Sequence, residues 1–145
     1  MTKQEVTKRL PAEKRITPDE NGRCAVIATL KLFATKWKPC ILCYLSASPL
    51  RYNQLYRAIP NISRKMLSEH LDELESDGLI TRTAHDSKGQ HVDYRLSPKG
   101  RSMIGLLHGI QDWGIANLPG VLTINEMVLQ AGGCSVFPDN RFFSV

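Results

Sequence analysis

Two cysteines three positions apart, Cys40 and Cys43, are the residues whose type and spacing most directly suggest chemistry. A Cys-x-x-Cys pair is typical of thiol redox enzymes and of one half of a zinc site. A zinc site needs further ligands, but Cys24 and Cys134 are isolated and the histidines show no paired spacing. A thioredoxin-like motif would require a strand before Cys40, and the sequence predicts none there. We therefore expect no metal site and interpret both cysteines as small core residues. A thiol redox protein that uses them stays the alternative.

The layout of charge suggests a different class of protein. The net charge is +5, and residues 21–68 contain no aspartate or glutamate. Carboxylates then cluster between Glu69 and Asp77. A long segment with only positive charge indicates a polyanionic partner, of which nucleic acid is the most natural. The basic residues of the acid-free segment are Arg23, Lys31, Lys36, Lys38, Arg51, Arg57, Arg64 and Lys65.

Size and composition limit the remaining possibilities. The 145 residues suffice for one domain with a buried core. No apolar run approaches the roughly 20 residues of a membrane-spanning helix, and the N-terminus lacks the apolar centre of a signal peptide. We therefore expect a cytoplasmic protein. No Ser/His/Asp order, glycine-rich phosphate loop or metal cluster suggests an enzyme, so we expect no catalysis and no cofactor.

The hydrophobic pattern predicts the elements that would position the basic residues. Apolar residues recur with helical spacing until Gly78, a typical helix stop, and then alternate with a period of two. Ser63 is a predicted N-cap, and Ser97-Pro98 predicts another helix start. The predicted helices span residues 24–33, 37–45, 52–59, 61–77, 98–118 and 122–129. The predicted strands, 79–84 and 91–96, form a hairpin around the turn-rich residues 86–90.

This order of elements predicts a winged helix-turn-helix, a mainly α fold with a small β-hairpin (α+β). The helix that follows the turn would be the recognition helix in the major groove. With 100° of rotation per residue, Leu71 and Leu74 lie within about 40° of Leu67 and define its inward side. The outward residues of its first half have side chains that can read base edges. These candidate base contacts are Arg64, Lys65, Ser68 and Glu69.

Further DNA contacts are predicted from residues near other element ends. The starts of the second and third helices place cations and amide groups where they could bind phosphate. The tip of the hairpin, the wing, could reach the DNA backbone or the minor groove. The candidates are Lys36, Lys38, Arg51, Asn53, Lys88 and His91.

The segment from 24 to 114 also resembles the HxlR-type regulators, a branch of the MarR-like winged-helix family. The resemblance rests on Cys24, KWK at 36–38, PLRYNQL at 49–55, AIPNISRKML at 58–67, LDELESDGLI at 71–80, YRLSPKG at 94–100 and WG at 113–114. It implies a dimeric, cytoplasmic transcription regulator that binds a palindromic operator in double-stranded DNA. Its subunits would pair through N-terminal and C-terminal helices.

The resemblance also draws attention to Cys24. It matches a cysteine that several members of the family use to sense electrophiles or oxidants. Nearby Arg23 and a helix N-terminus both favour the thiolate. We expect Cys24 to be a redox or electrophile sensor, although an inert residue of the dimer interface is the competing interpretation.

The sequence predicts three segments: an N-terminal arm (1–22), an HxlR-type winged-helix domain with a C-terminal dimerisation helix (23–118), and an extension of unknown role (119–145). A winged-helix protein-interaction module that does not bind DNA remains a further alternative.

Overall fold

The structure, a computed structural model, describes residues 24–89 and 91–130 of the chain. The chain divides into two compact units, Met1–Phe33 and Ala34–Val145. The first unit contains α1 (Ala25–Phe33) among its described residues. In the described part of the second unit, the elements are α2 (Lys38–Ala47), α3 (Tyr52–Ala58), α4 (Arg64–Ser76), β1 (Ile80–Ala84), β2 (Val92–Leu96), α5 (Pro98–Asn117) and α6 (Ile124–Gln130). The predicted arm at 1–22, Cys134 and most of the predicted extension lie outside the described residues, and the three-segment division stays a prediction.

Local signals in the sequence account for the helix ends. The hydroxyl of Ser63 accepts a hydrogen bond from the Met66 N–H at 3.1 Å, and that of Ser97 accepts one from the Gly100 N–H at 3.0 Å. Both are N-cap bonds that satisfy a donor left free by the first helical turn. Gly78 follows α4 with φ +76°, a left-handed conformation that glycine adopts without strain. The predicted N-caps and the predicted stop are therefore confirmed.

The core of the second unit forms around α2. Its residues Cys40 to Leu45 are all buried, so this helix is central and does not present one face to solvent. Apolar residues of α3, α4 and the start of the hairpin pack into the same core, and they are essentially inaccessible. They are Leu55, Leu67, Leu71, Leu74, Leu79 and Ile80.

The turn between α3 and α4 fixes the angle at which α4 leaves the core. Asn61 has φ 64°, which asparagine tolerates better than most residues that carry a side chain. The Tyr44 hydroxyl donates a 2.9 Å hydrogen bond to the Ala58 carbonyl, and the Tyr52 hydroxyl donates a 2.9 Å bond to the Arg64 carbonyl. One hydrogen bond thus holds the end of α3 to α2, and the other holds the start of α4 to the start of α3.

The hairpin lies beside the chain segment that enters α3. β1 and β2 are antiparallel, and Arg82 is paired with Tyr94. Leu50 forms an isolated bridge to Tyr94 through backbone hydrogen bonds of 3.1 and 2.8 Å. Three chain segments therefore run side by side, which confirms a winged helix-turn-helix of the α+β class.

The helix after the hairpin packs closely against its base. A Cβ atom at Gly100 would overlap the Leu79 carbonyl oxygen, so only glycine allows this approach. In the described ranges, no helix combines the length and the apolar character needed to cross a bilayer.

Candidate nucleic-acid interface

The first half of α4 presents polar side chains away from the core. Arg64, Lys65, Ser68 and Glu69 are all exposed, while Leu67 between them is fully buried. The Lys65 side chain is 84% exposed. This arrangement agrees with the outward face expected from helical rotation, and its donors and acceptors are of the types that read base edges.

Neighbouring side chains hold this face in a defined arrangement. The Arg64 guanidinium lies 4.2 Å from the centre of the Tyr56 ring, which is a cation–π distance. The Ser68 hydroxyl donates to the Tyr52 hydroxyl at 3.2 Å. Lys65 and Glu69 form only a loose ion pair, with 3.9 Å between Nζ and Oε1. Lys65 is therefore the least restrained cation of the outward face.

Lys38 does not occupy the exposed position that its predicted DNA contact requires. Its side chain is 6% exposed, and its ammonium lies 2.6 Å from the Glu73 carboxylate of α4. The hydrogen bond from Lys38 is the main cause that lowers the pKa of Glu73, and His70, 3.6 Å from the same oxygen, contributes less. The expectation for Lys38 is wrong because the lysine joins α2 to α4 inside the fold instead of facing solvent.

The other predicted contacts outside α4 lie on the surface. Lys36 is exposed, with its ammonium 4.6 Å from the centre of the Trp37 ring. Arg51 and Asn53 are exposed at the start of α3, and Lys88 is exposed in the hairpin loop. These residues remain available to a partner.

The wing carries a small charged network. His91 is exposed and lies 3.8 Å from Asp86. Asp93 accepts two 3.2 Å hydrogen bonds from Arg95 and lies 2.6 Å from His85. Arg95 first, and His85 second, lower the pKa of Asp93. The carboxylate of Asp93 is thus paired with both Arg95 and His85.

A cleft of about 550 Å³ separates α3 from the hairpin, and two of its arginines have no role in the sequence-based predictions. Arg57 is in α3 and Arg82 is in β1, and both are exposed. The sequence pointed to Arg57 only as a member of the acid-free segment. Arg82 comes to the same cleft through the pairing of the two strands, which the sequence pattern does not specify.

Comparisons with known proteins identify the family. The HxlR-like helix-turn-helix family matches residues 32–121. The chain belongs to this family. The HTH-type transcriptional regulator YtcD of Bacillus subtilis (strain 168), itself described as uncharacterised, is 43% identical over 90 residues, which cover 62% of this chain and 71% of YtcD.

Two solved relatives of this HxlR-like protein are redox or quinone-related regulators by name. The redox regulator HypR in its reduced form is 29% identical, with a TM-score of 0.61, over 66% of this chain and 94% of HypR. The reduced transcriptional regulator YodB of B. subtilis is 26% identical, with a TM-score of 0.63, over 70% of this chain and 99% of YodB. A further YodB structure is quinone-bound. The HxlR-like protein is therefore a transcriptional regulator with a helix-turn-helix domain, and the comparisons indicate no enzymatic family.

The thiols of the HxlR-like protein have opposite environments. Cys24 is exposed, and hydrogen bonds from the backbone of Ile27 and Val26 lower its pKa. Burial raises the pKa of Cys40 to about 11 and that of Cys43 to about 12. Because the thiolate is the reactive form, the environment of Cys24 favours reaction more than those of Cys40 and Cys43. The interpretation of Cys40 and Cys43 as core residues is confirmed.

Proposed function

We propose that this protein binds double-stranded DNA in the cytoplasm as a homodimer, on a palindromic operator, and that Cys24 makes binding responsive to electrophiles or oxidants. The observation that carries the DNA part is the exposed outward face of α4, formed by Arg64, Lys65, Ser68 and Glu69. In helix-turn-helix proteins the first half of this helix enters the major groove. Lys36, Arg51, Asn53, Lys88 and His91 would then contact the backbone or the minor groove on either side.

The experiment that tests DNA binding starts from genomic fragments selected by the purified wild-type protein. Binding to a selected operator is then measured over a range of salt concentrations. We expect affinity to fall steeply with salt, by about 0.9 decades per decade of salt for each neutralised phosphate. A protein-interaction module would select no fragment and show no salt-dependent DNA binding, and that result would reject the proposal.

The homodimer is supported by apolar surface on α5. Leu106, Ile110 and Trp113 are 44%, 46% and 62% exposed and lie along one side of this twenty-residue helix. Together with Gly105 and Gly109 they line an apolar groove of about 400 Å³. Monomeric soluble proteins seldom leave such a patch uncovered. We propose that a second copy of the chain covers it, which a twofold operator also requires.

Trp113→Glu tests this pairing. We expect the variant to sediment as a monomer at concentrations where the wild type is a dimer, and to bind the operator more weakly. Asp112→Asn, a change at an exposed neighbour on the same turn, is the matched control. A wild-type protein that sediments as a monomer at all concentrations would refute the dimer without affecting the DNA-binding face.

The sensor role of Cys24 is supported by its exposure and its lowered pKa, and by the redox-regulator relatives. With a quinone, the Cys24 thiolate sulfur would add to a ring carbon. The electron pair of the ring double bond moves to the conjugated carbonyl oxygen, which takes up the proton lost by the thiol. The hydrogen on the attacked ring carbon then moves as a proton to the second carbonyl oxygen, so the product is a hydroquinone thioether. No other reactant is needed.

Cys24→Ser separates a sensor from an inert cysteine. We expect quinone to release the wild-type protein from the operator and to leave Cys24→Ser bound. The double variant Cys40→Ala/Cys43→Ala should still be released, because these buried thiols have raised pKa values. Normal release of Cys24→Ser would remove the sensor role and favour an inert residue.

A further inference from the structure

Three arginines converge on the cleft between α3 and the hairpin without any carboxylate among its lining residues. The lining consists of Arg51, Tyr52, Asn53, Gln54, Arg57, Arg82, Gly89, Val92 and Tyr94. In the described part of the chain, none of the three guanidinium groups forms an ion pair. Their charge is therefore not compensated locally, in contrast to that of Lys38.

Strand pairing explains how the arginines come together. Tyr94 of β2 is paired with Arg82 on one side and bridged to Leu50 on the other. Arg51 follows Leu50 directly and leads into α3, which carries Arg57. The position of the arginines is thus fixed by backbone hydrogen bonds across three segments, and not by flexible loops.

Asp93, the acidic residue of β2, does not face this cleft. Side chains alternate between the two faces of a strand, so Arg82, Val92 and Tyr94 share one face of the hairpin and Asp93 lies on the other. There Asp93 is already held by Arg95 and His85. Burial is the main cause that raises the pKa of Tyr94; Arg82 lowers it, and Asp72 and Glu75 of α4 raise it further.

We propose that this cleft is an oxyanion-binding site in which Arg51, Arg57 and Arg82 are the principal ligands. Guanidinium groups bind phosphate and carboxylate oxygens in a bidentate manner. The oxyanion has two possible sources: a phosphate of the DNA backbone, which rests on the proposed function, or a free phosphate-bearing or carboxylate-bearing small molecule, which does not. The cleft lies between the helix before the turn and the wing, and both flank a duplex when α4 enters the major groove.

The first arm of the test measures DNA binding by Arg57→Gln and Arg82→Gln in the full-length protein. Arg101→Gln on α5, also exposed and without an ion pair in the described ranges, is the control. If a backbone phosphate occupies the cleft, each cleft variant loses roughly threefold to tenfold in affinity and about one unit of salt slope, with uniform effects on different duplexes. The control keeps both values, and thermal unfolding verifies that all variants are folded.

The second arm uses inorganic phosphate and the protein without DNA. If a free oxyanion occupies the cleft, phosphate shifts the arginine side-chain N–H resonances of the wild type saturably. The same titration of Arg82→Gln and Arg57→Gln loses the effect, while Arg101→Gln retains it.

Either positive arm supports the site and identifies its source. Cleft variants with unchanged DNA affinity and slope, together with a wild type that shows no saturable phosphate shift, would overturn it. A wild type that fails to bind any DNA would refute the proposed function, yet the phosphate arm would still decide the cleft.

Discussion

Two lysine–glutamate pairs that involve α4 differ in the distance between their charges and in the exposure of their lysines. Lys38 and Glu73 are 2.6 Å apart, and the lysine side chain is 6% exposed. Lys65 and Glu69 are 3.9 Å apart, with side chains 84% and 51% exposed. The first pair joins α4 to α2 through a buried lysine and a half-exposed glutamate, while the second lies on the face proposed to enter the major groove. Residue type alone therefore does not separate a fold-stabilising cation from a binding cation.

The difference also shows how a recognition helix is oriented. α4 is held from below by Leu67, Leu71 and Leu74, which are buried, and at one flank by the ion pair to Lys38. Apolar contacts hold α4 against the core but restrict its rotation about its own axis only weakly. A short charge-assisted hydrogen bond is directional and restricts that rotation more. Lys38 therefore helps to determine which residues of α4 point outward, without touching a partner itself.

The largest expected effect is the destabilisation caused by removing Glu73. Glu73→Ala leaves the buried Lys38 ammonium without its partner. We expect the free energy of unfolding to fall by about 2–3 kcal/mol, which is less than the usual cost of breaking a fully buried ion pair because Glu73 is half exposed. Glu69→Ala, one turn earlier on the same helix, should change it by no more than about 0.5 kcal/mol. Urea unfolding measures both. Equal, small effects would mean that Lys38 finds other compensation and that the two pairs do not differ.

The next effect concerns DNA binding, for which Lys65 should matter more than Lys38. Lys65→Ala should weaken binding to a selected operator by more than about 1 kcal/mol, roughly fivefold, because one base contact is lost. Lys38→Met keeps the aliphatic stem but removes a contact that orients α4, so it should weaken DNA binding less than Lys65→Ala does at temperatures where it is folded. Fluorescence anisotropy titrations measure both. If Lys38→Met loses as much affinity as Lys65→Ala, Lys38 acts on DNA and the proposed division of roles is wrong.

The pair of lysines also shows how much the sequence could predict. Element order, the Ser63 and Ser97 caps and the Gly78 stop depend on residues within one turn of each other, and these predictions are confirmed. The outward face of α4 could also be predicted, since helical periodicity places Leu67, Leu71 and Leu74 on one side of the helix. These parts of the fold are determined by local patterns.

The errors concern contacts between distant segments. α2 is buried along nearly its whole length, so periodicity does not distinguish its faces and gave no sign that Lys38 turns inward. Its partner, Glu73, is far away in the sequence. The cleft arginines Arg57 and Arg82 likewise meet only through the hairpin and the Leu50 bridge. Counting charges along the chain therefore found the cationic segment but not which of its cations are free.

A pH titration of stability sharpens the comparison further. The pKa of Glu73 is lowered from its usual value of 4.5, so its ionised form stabilises the fold fully above about pH 4.5, and this contribution is lost as the pH falls through the folded-state pKa. Glu73→Gln lacks the contribution at every pH. The difference in unfolding free energy between wild type and Glu73→Gln should therefore be largest near neutral pH and shrink below about pH 4.5.

The lowered pKa of Asp93 is present in both proteins and cancels in this difference. Urea unfolding at a series of pH values provides the measurement. A difference that stays constant into the acid range would show that the ionised carboxylate of Glu73 contributes nothing through Lys38.

The smallest expected effect is the coupling within the exposed pair. A double-mutant cycle of Lys65→Ala and Glu69→Ala should give an interaction of at most about 0.5 kcal/mol in the free protein, because both side chains are solvated and 3.9 Å apart. The same cycle on Lys38 and Glu73 should give a clearly larger value. Weak coupling is what a binding residue requires, since Lys65 must leave Glu69 to reach a base. A coupling well above that value would mean that Glu69 holds Lys65 back, so that Glu69→Ala would then strengthen DNA binding instead of weakening it.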